Sequence, residues 1–315
     1  MPTAPDEDFD ARAASYRGEL LALCYQLLGS VHEADDLVQE TMLRAWRARD
    51  RYDAERASLR TWLHRIATNA CLTALEGRAR RPLPTGLGPP ADDTTTPLVA
   101  DLEVPWLQPF PDARLDPAVR AEQRAHLRLA LVAALQLLPP RQRAVLVMRE
   151  SLGFSAAEVA EALATSPSAV DSALQRARAT LSSAAPAWQT IDEPADAATR
   201  GVVDRYVRAF ERADVKGLVA LLTADAVLEM PPVPLWFRGR TDYGTFMARV
   251  FAMRGDRWNI VPTAANGQPA LAAYCDHRLH TLQVLTVRSG GIARNTVFAD
   301  PRVFAIFGLP ETLVP

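Results

Sequence analysis

The chain has 315 residues, 49% of them hydrophobic and 23% charged, the balance of a globular protein with room for roughly two or three domains. Its formal net charge of −2 excludes a uniformly basic nucleic-acid binder, so any DNA-reading surface must be local. No apolar run approaches a membrane span and the N-terminus MPTAPDEDFD lacks a signal-peptide pattern, so a cytoplasmic protein without membrane contact is expected. Cys24, Cys71 and Cys275 form no CxxC, and His277 and His280 fall on opposite faces of a strand. Neither set suggests a metal site, and no cofactor is expected.

In chain order, Phe9–Leu28 carries a helical pattern that stops at the turn signal Gly29-Ser30. The stretch Ala34–Arg47, ADDLVQETMLRAWR, predicts one amphipathic helix. Ala34, Leu37, Val38, Thr41 and Ala45 share its inner face, and Asp35, Asp36, Gln39 and Glu40 stay in water. Acids early and arginines late suit the helix dipole. After the polar loop 50–58, a helix from about Leu59 to Arg80 buries Leu59, Leu63, Ile66, Ala67, Ala70 and Cys71. Arg60, Trp62, Arg65, Thr68 and Asn69 are left on other faces. Guanidinium groups can track phosphates and Trp62 can stack on a base, although Trp62 also suits a core place beside Leu59 and Ile66.

Residues 82–116 are too rich in proline and glycine for a regular element and read as a linker. Trp106, Leu107 and Phe110 are unusual in such a tether and predict that it docks on the C-terminal domain or on the N-terminal helices. Pro117–Leu137 is predicted helical, with Leu127, Leu131, Leu135 and Leu138 inside. Arg141–Ser151 follows. Ser155 with Glu158 forms a capping-box pattern for a helix over Ala156–Leu163. A last helix starts near Pro167 and runs to about Ser183. Helix, short turn, helix is a helix-turn-helix. Val170, Ala173, Leu174 and Ala177 face inward; Ser168, Asp171, Ser172, Gln175, Arg176 and Arg178 face outward, able to reach base edges and phosphates.

The first motif, "A-D-D-L-V-Q-E-T-x-L-R-A-W" with "L-R-T-W-L-H-R-I-A-T-N", is very similar to region two of extracytoplasmic-function sigma factors, the small promoter-recognition subunits of bacterial RNA polymerase. The second, "L-P-P-R-Q-R-A-V-L-V-M-R-E" with "G-F-S-A-A-E-V-A-E-A-L", resembles region four of the same family. The resemblance implies two all-α domains, a sigma-two domain at 9–81 and a sigma-four domain at 117–185. It implies that core polymerase is the partner, met through its β′ coiled coil and β flap, with promoter DNA. Asp35, Asp36, Leu37, Gln39 and Glu40 would contact polymerase. Tyr52, Asp53, Arg60, Trp62, Arg65 and Asn69 would read the −10 element, with 52–58 capturing a flipped base. Ser168, Asp171, Ser172, Gln175, Arg176 and Arg178 would read the −35 element. Asp171 departs from the family pattern, an acid standing close to the groove.

Beyond a hinge at 186–198, residues 199–315 predict an α+β domain: helices at Thr199–Arg212, Val215–Leu222 and Thr241–Met253, a strand after Asp225, then alternating runs from Trp258 to Phe298. This part is similar to the SnoaL-like, cone-shaped domains of the nuclear-transport-factor-two superfamily. The resemblance implies a pocket, lined by Met230, Trp236, Phe237, Tyr243, Phe246, Tyr274 and His280, able to take a small molecule. Asp225, Glu229, Asp276 and His280 are the candidate bases if there is chemistry there. The apolar tail, with Phe304 and Phe307, is expected to dock between domains. The reading is a sigma factor, not an enzyme, regulated in cis by its third domain. The alternatives are a DNA-binding module fused to a SnoaL-like isomerase, cyclase or ligand-binding domain, and an ordinary helix-turn-helix repressor.

Overall fold

The protein was analysed as a computed structural model, which describes residues 5–114, 124–184 and 197–313. The chain divides into two compact units. One takes in Met1–Arg81 with Ala113–Pro186; the other takes in Pro82–Asp112 with Ala187–Pro315. Most of the expected hinge 186–198 and the start of the helix expected at Pro117 lie outside the described residues.

The first unit is all helical. The expected Phe9–Leu28 helix is two, α1 (Pro5–Ala14) and α2 (Arg17–Leu28). Gly29 ends α2 in the left-handed region at φ 69°, which glycine adopts without steric cost, and Ser30 caps α3 (Val31–Arg47) by accepting the Glu33 amide. Helix α3 buries Val31, Ala34, Val38, Thr41 and Ala45. Helix α4 (Leu59–Ala74) begins at Ser58, which accepts the Thr61 amide. In the C-terminal half of the unit, α5 (Leu129–Leu135) is shorter than expected. Arg128 leaves helical geometry at ψ 131°, and Arg124–Leu127 forms a separate 3-10 turn. The inner leucines Leu127, Leu131, Leu135 and Leu138 are nonetheless all buried. Then come α6 (Pro140–Leu146), which runs into a π-helical turn at Val147–Ser151, α7 (Ala156–Ala162) and α8 (Pro167–Ala184). The capping box of Ser155 and Glu158 closes both ways.

The two halves of this unit are held together by polar groups reaching backbone carbonyls. Arg143 is 3% exposed and donates to the carbonyls of Leu27, Gln136 and Leu138 and to the Gln136 side chain. Burial pushes its pKa down to about 10, yet the charge is kept because four acceptors surround it. Ser151 donates to the Gln26 side chain at 2.9 Å. His64 on α4 is fully buried, lies 5.2 Å from the Phe154 ring, and meets the Arg60 carbonyl through Nδ1. Burial takes its pKa down to about 4, against a smaller upward pull from Glu19.

The second unit holds α9 (Ala197–Glu211), α10 (Val215–Ala220), β1 (Leu222–Met230), β2 (Val233–Arg238), α11 (Arg240–Arg254), β3 (Trp258–Ala265), β4 (Gln268–Cys275), β5 (Arg278–Arg288), β6 (Gly291–Phe298) and α12 (Pro301–Ile306). The sheet order is β2-β1-β6-β5-β4-β3. The β1–β6 pair is parallel and the others antiparallel, so the sheet is mixed. Strand β2 is an addition to the sequence reading. One sheet face packs on the helices through Leu228, Met230, Phe237, Leu271, Ala273, Leu285 and Val287. Strand alternation then puts Trp236 and Tyr274 on the other face. This corrects their expected place in one pocket with Met230, Phe237 and Tyr243.

The linker segment 82–112 is part of this second unit and behaves as a strap. The Ala91 amide donates to the Trp236 carbonyl at 2.8 Å, and Trp236 Nε1 donates to the Gly88 carbonyl at 2.9 Å. Arg249 donates to the carbonyls of Thr94 and Thr96. Phe110 and Asn266 exchange hydrogen bonds of 2.8 Å, and the Gly267 amide donates to Asp112 at 2.9 Å. Leu107 and Phe110 are fully buried, while Trp106 is half-buried and donates to the Asp101 carbonyl. The tail returns to its own domain: the Leu279 amide donates to Glu311 and the Leu313 amide to His277, with Phe304 and Phe307 half-buried.

Two measurements test this packing. Replacing Arg143 with Met is expected to lower the unfolding free energy by about 3 kcal/mol in urea, because several buried carbonyls lose their donor. A loss below about 1 kcal/mol would contradict that role. His64 has a depressed folded-state pKa, so the stability tied to its neutral form is complete above its ordinary 6.5 and is lost as pH falls towards about 4. About 3 kcal/mol should disappear over that window, and His64→Phe should flatten that part of the pH profile.

Candidate functional site

On helix α3, Asp36 and Gln39 are exposed and Asp35 and Glu40 partly so; Leu37, expected on the inner face, is only half-buried. Glu40 pairs with Arg44 one turn on at 2.6 Å, and Glu33 pairs with Arg78 and Arg81 at 2.9 and 2.7 Å. Asp35 receives both terminal nitrogens of Arg114, each at 2.6 Å.

Helix α4 is buried on two sides, which its sequence pattern did not indicate. Thr61, Trp62, His64 and Thr68 join the expected inner stripe. The second side lies under α6, α7 and the turn between them. Arg60 donates to Glu19 through Nε at 2.7 Å and to the Leu152 carbonyl at 2.8 Å, and its guanidinium carbon sits 4.4 Å from the Phe154 ring centroid. Thr61 donates to Glu158 at 3.3 Å, Arg65 pairs with Glu161 at 3.5 Å, and Asn69 donates to the Ala162 carbonyl at 3.4 Å. Three of the residues nominated for −10 reading, Arg60, Arg65 and Asn69, therefore already have protein partners. Trp62 is 8% exposed and lies between Tyr52 at 5.3 Å and Phe9 at 6.3 Å, so its ring belongs to the core in this state. Tyr52 is half-buried against it. Asp53 is exposed and accepts the Glu55 amide.

In the helix-turn-helix, α7 and α8 are joined by a turn in which Ala164 takes φ 49°. Val170, Leu174 and Ala177 are buried, which aims Ser168, Asp171, Ser172, Gln175, Arg176 and Arg178 outward, all exposed. Arg178 pairs with Glu150 at 2.6 Å. Of the acids that meet α4, Glu158 was read from the sequence only as the capping-box partner of Ser155, and Glu161 was not singled out. Their spacing of three on one helix face was the signal available.

Inside the C-terminal domain, Tyr206, Tyr243, Gln283 and Asn295 form a buried hydrogen-bonded group. The two phenol oxygens are 2.8 Å apart and Asn295 Nδ2 donates to both at 3.0 Å. Burial raises the pKa of both tyrosines, so they stay protonated near neutral pH. Of the candidate bases, Asp225 pairs with Arg288 and Asp276 with Arg257, both near the surface. Glu229 is fully buried and held by Arg294 at 2.7 Å, Thr296 at 2.9 Å and the strap's Thr85 at 3.0 Å. His280 stands 5.5 Å from Trp258, its pKa lowered by burial. A carboxylate held by one guanidinium and two hydroxyls is a structural anchor rather than a free base. Among the described residues no cluster has the makings of a metal site, and no helix is long and apolar enough to cross a membrane.

Sequence comparison meets this geometry at all three segments. Residues 13–81 match the family profile "Sigma-70 region 2", 128–181 match "Sigma-70, region 4", and 203–300 match "SnoaL-like domain". The chain is 47% identical to the ECF RNA polymerase sigma factor SigG of Mycobacterium tuberculosis, over 97% of its own length and 85% of that protein. It is 32% identical to SigJ of the same organism over 66% of this chain and 60% of that one. The crystal structure of Mycobacterium tuberculosis SigJ shares its fold, with a TM-score of 0.65 and 24% identity over 97% of this chain and 99% of the other. With both sigma regions matched in order and a full-length relative this similar, the chain belongs to the extracytoplasmic-function sigma factors, with a SnoaL-like domain at its C-terminal end.

Proposed function

We propose that this protein binds core RNA polymerase through the α3 ridge, with Asp36 as the exposed carboxylate and Asp35 and Glu40 beside it, and directs the enzyme to a −10/−35 promoter. The sigma-two domain meets the β′ coiled coil and the sigma-four domain the β flap. Arg60, Arg65 and Asn69, with the loop from Tyr52 and Asp53, take the separated −10 strand. The exposed face of α8 takes the −35 duplex.

The promoter-reading role is coupled to a closed state. A −10 strand needs the side of α4 that carries Arg60, Arg65 and Asn69, and that side is engaged by Leu152, Phe154, Glu161 and Ala162. One surface cannot serve both partners, so the sigma-four half must leave before DNA binds. The third domain regulates this in cis. The observation that carries the regulatory reading is the strap: the segment joining the two DNA-reading regions in sequence folds with the C-terminal sheet and is keyed to its buried Glu229.

Two experiments test the proposal. Asp36→Arg should weaken binding to core polymerase by about tenfold or more, a full charge reversal at the docking face. Capture of polymerase by Asp36→Arg equal to that by the wild type would remove Asp36 from the docking face. Ending the chain near residue 186 should shift promoter-specific run-off transcription several-fold at limiting polymerase. Equal transcript yield and equal polymerase affinity would remove the regulatory half.

A further inference from the structure

Helix α3 carries four acidic residues, and they are not equally available. Glu33 is taken by Arg78 and Arg81 from the end of the sigma-two domain, and Glu40 by Arg44 of the same helix. Asp36 is exposed and has no partner among the described residues. Asp35 differs from all three. Its partner, Arg114, lies outside the sigma-two segment in sequence and faces it as a two-pronged pair, one nitrogen to each carboxylate oxygen at 2.6 Å. That planar, parallel arrangement is specific for a guanidinium; an ammonium meets a carboxylate as a single point charge.

We propose that Asp35 is a guanidinium seat on the polymerase-docking face, that Arg114 fills it in the free chain, and that an arginine presented by the polymerase takes it over on binding. The inference rests on the reading of α3 as the docking face and adds the chemistry of the partner at one position. Both side chains are about one-third exposed, at 35% and 32%, so the pair is open to exchange from solvent. An exposed pair of this kind is weak, which suits a placeholder: it keeps the seat ordered and is displaced at little cost. While Arg114 occupies the seat, only the fraction of chains with Asp35 free is ready to bind, and apparent affinity falls by that fraction.

The test is a titration of core polymerase with the full-length chain and its variants at low salt. Arg114→Ala should tighten binding about two- to fivefold, the range for losing a weak internal competitor. Arg114→Lys should tighten it less, because the lysine still competes as a point charge. Asp35→Ala should weaken binding, and adding Arg114→Ala to it should change nothing further, since the competitor acts only through that carboxylate. The tightening should shrink as salt is raised. Unchanged or weaker binding by Arg114→Ala, or wild-type affinity in Asp35→Ala, would overturn the proposal while leaving the sigma reading in place. Failure of the wild-type chain to bind polymerase at all would overturn both.

Discussion

The guanidinium of Arg60 is the contact on which the proposed closed state depends. It sits on the helix proposed to read separated promoter DNA, and its Nε and one terminal nitrogen are engaged by protein: the Glu19 carboxylate and the Leu152 carbonyl, with the face of Phe154 beside them. Two of those three partners belong to the sigma-four half. Around it, Arg65 and Asn69 find Glu161 and the Ala162 carbonyl at the spacing of one helix face against another. A DNA backbone would offer the same groups the same kind of acceptor. Occupancy by protein and occupancy by DNA are therefore alternatives of comparable chemistry, and the balance can be tipped by modest free energies.

The second unit supplies a different kind of constraint. Glu229 is buried on the sheet face away from the helices, where an uncompensated carboxylate would cost several kcal/mol. Arg294 and Thr296 come from the neighbouring strand, and Thr85 comes from the strap. The strap is thus held by a polar key as well as by the burial of Leu83, Leu107 and Phe110. A proline-rich segment has little entropy to lose on being held in one path, which makes it a suitable material for such a tie. The tyrosine–asparagine–glutamine group on the helix side of the sheet is saturated by its own members, apart from Asn295 Oδ1. It reads as internal structure of the cone.

Much of this was legible in the sequence wherever a local rule governs. The inner stripe of α3, the capping box at Ser155 and the alternation of β3 to β6 follow from period and cap chemistry, and the sequence motifs carried the family. What was not legible depended on contacts made at a distance. Thr61, His64 and Thr68 look like an ordinary wet face until a second helical layer covers them. Strand β2 follows Pro232 and has Pro234 as its second residue, a pattern that reads as a turn, and only its pairing with β1 makes it a strand. The helix expected through Arg128 is interrupted because the Arg128 carbonyl starts a new helix by accepting the Leu131 and Val132 amides. Trp236 and Tyr274 were grouped with Met230 and Tyr243 through the resemblance to pocketed SnoaL-like domains, and a family resemblance does not say which sheet face a residue takes.

The most direct measurement is the separation of the sigma-two and sigma-four halves in the free chain and on polymerase, followed by energy transfer between dyes at Glu55→Cys and Ser172→Cys. Both positions are exposed, the native Cys24 and Cys71 are buried, and the partly exposed Cys275 is replaced by serine in the labelled chain. The account predicts high transfer in the free chain and a large drop when core polymerase is added. Low transfer in the free chain, or high transfer unchanged on polymerase, would contradict it.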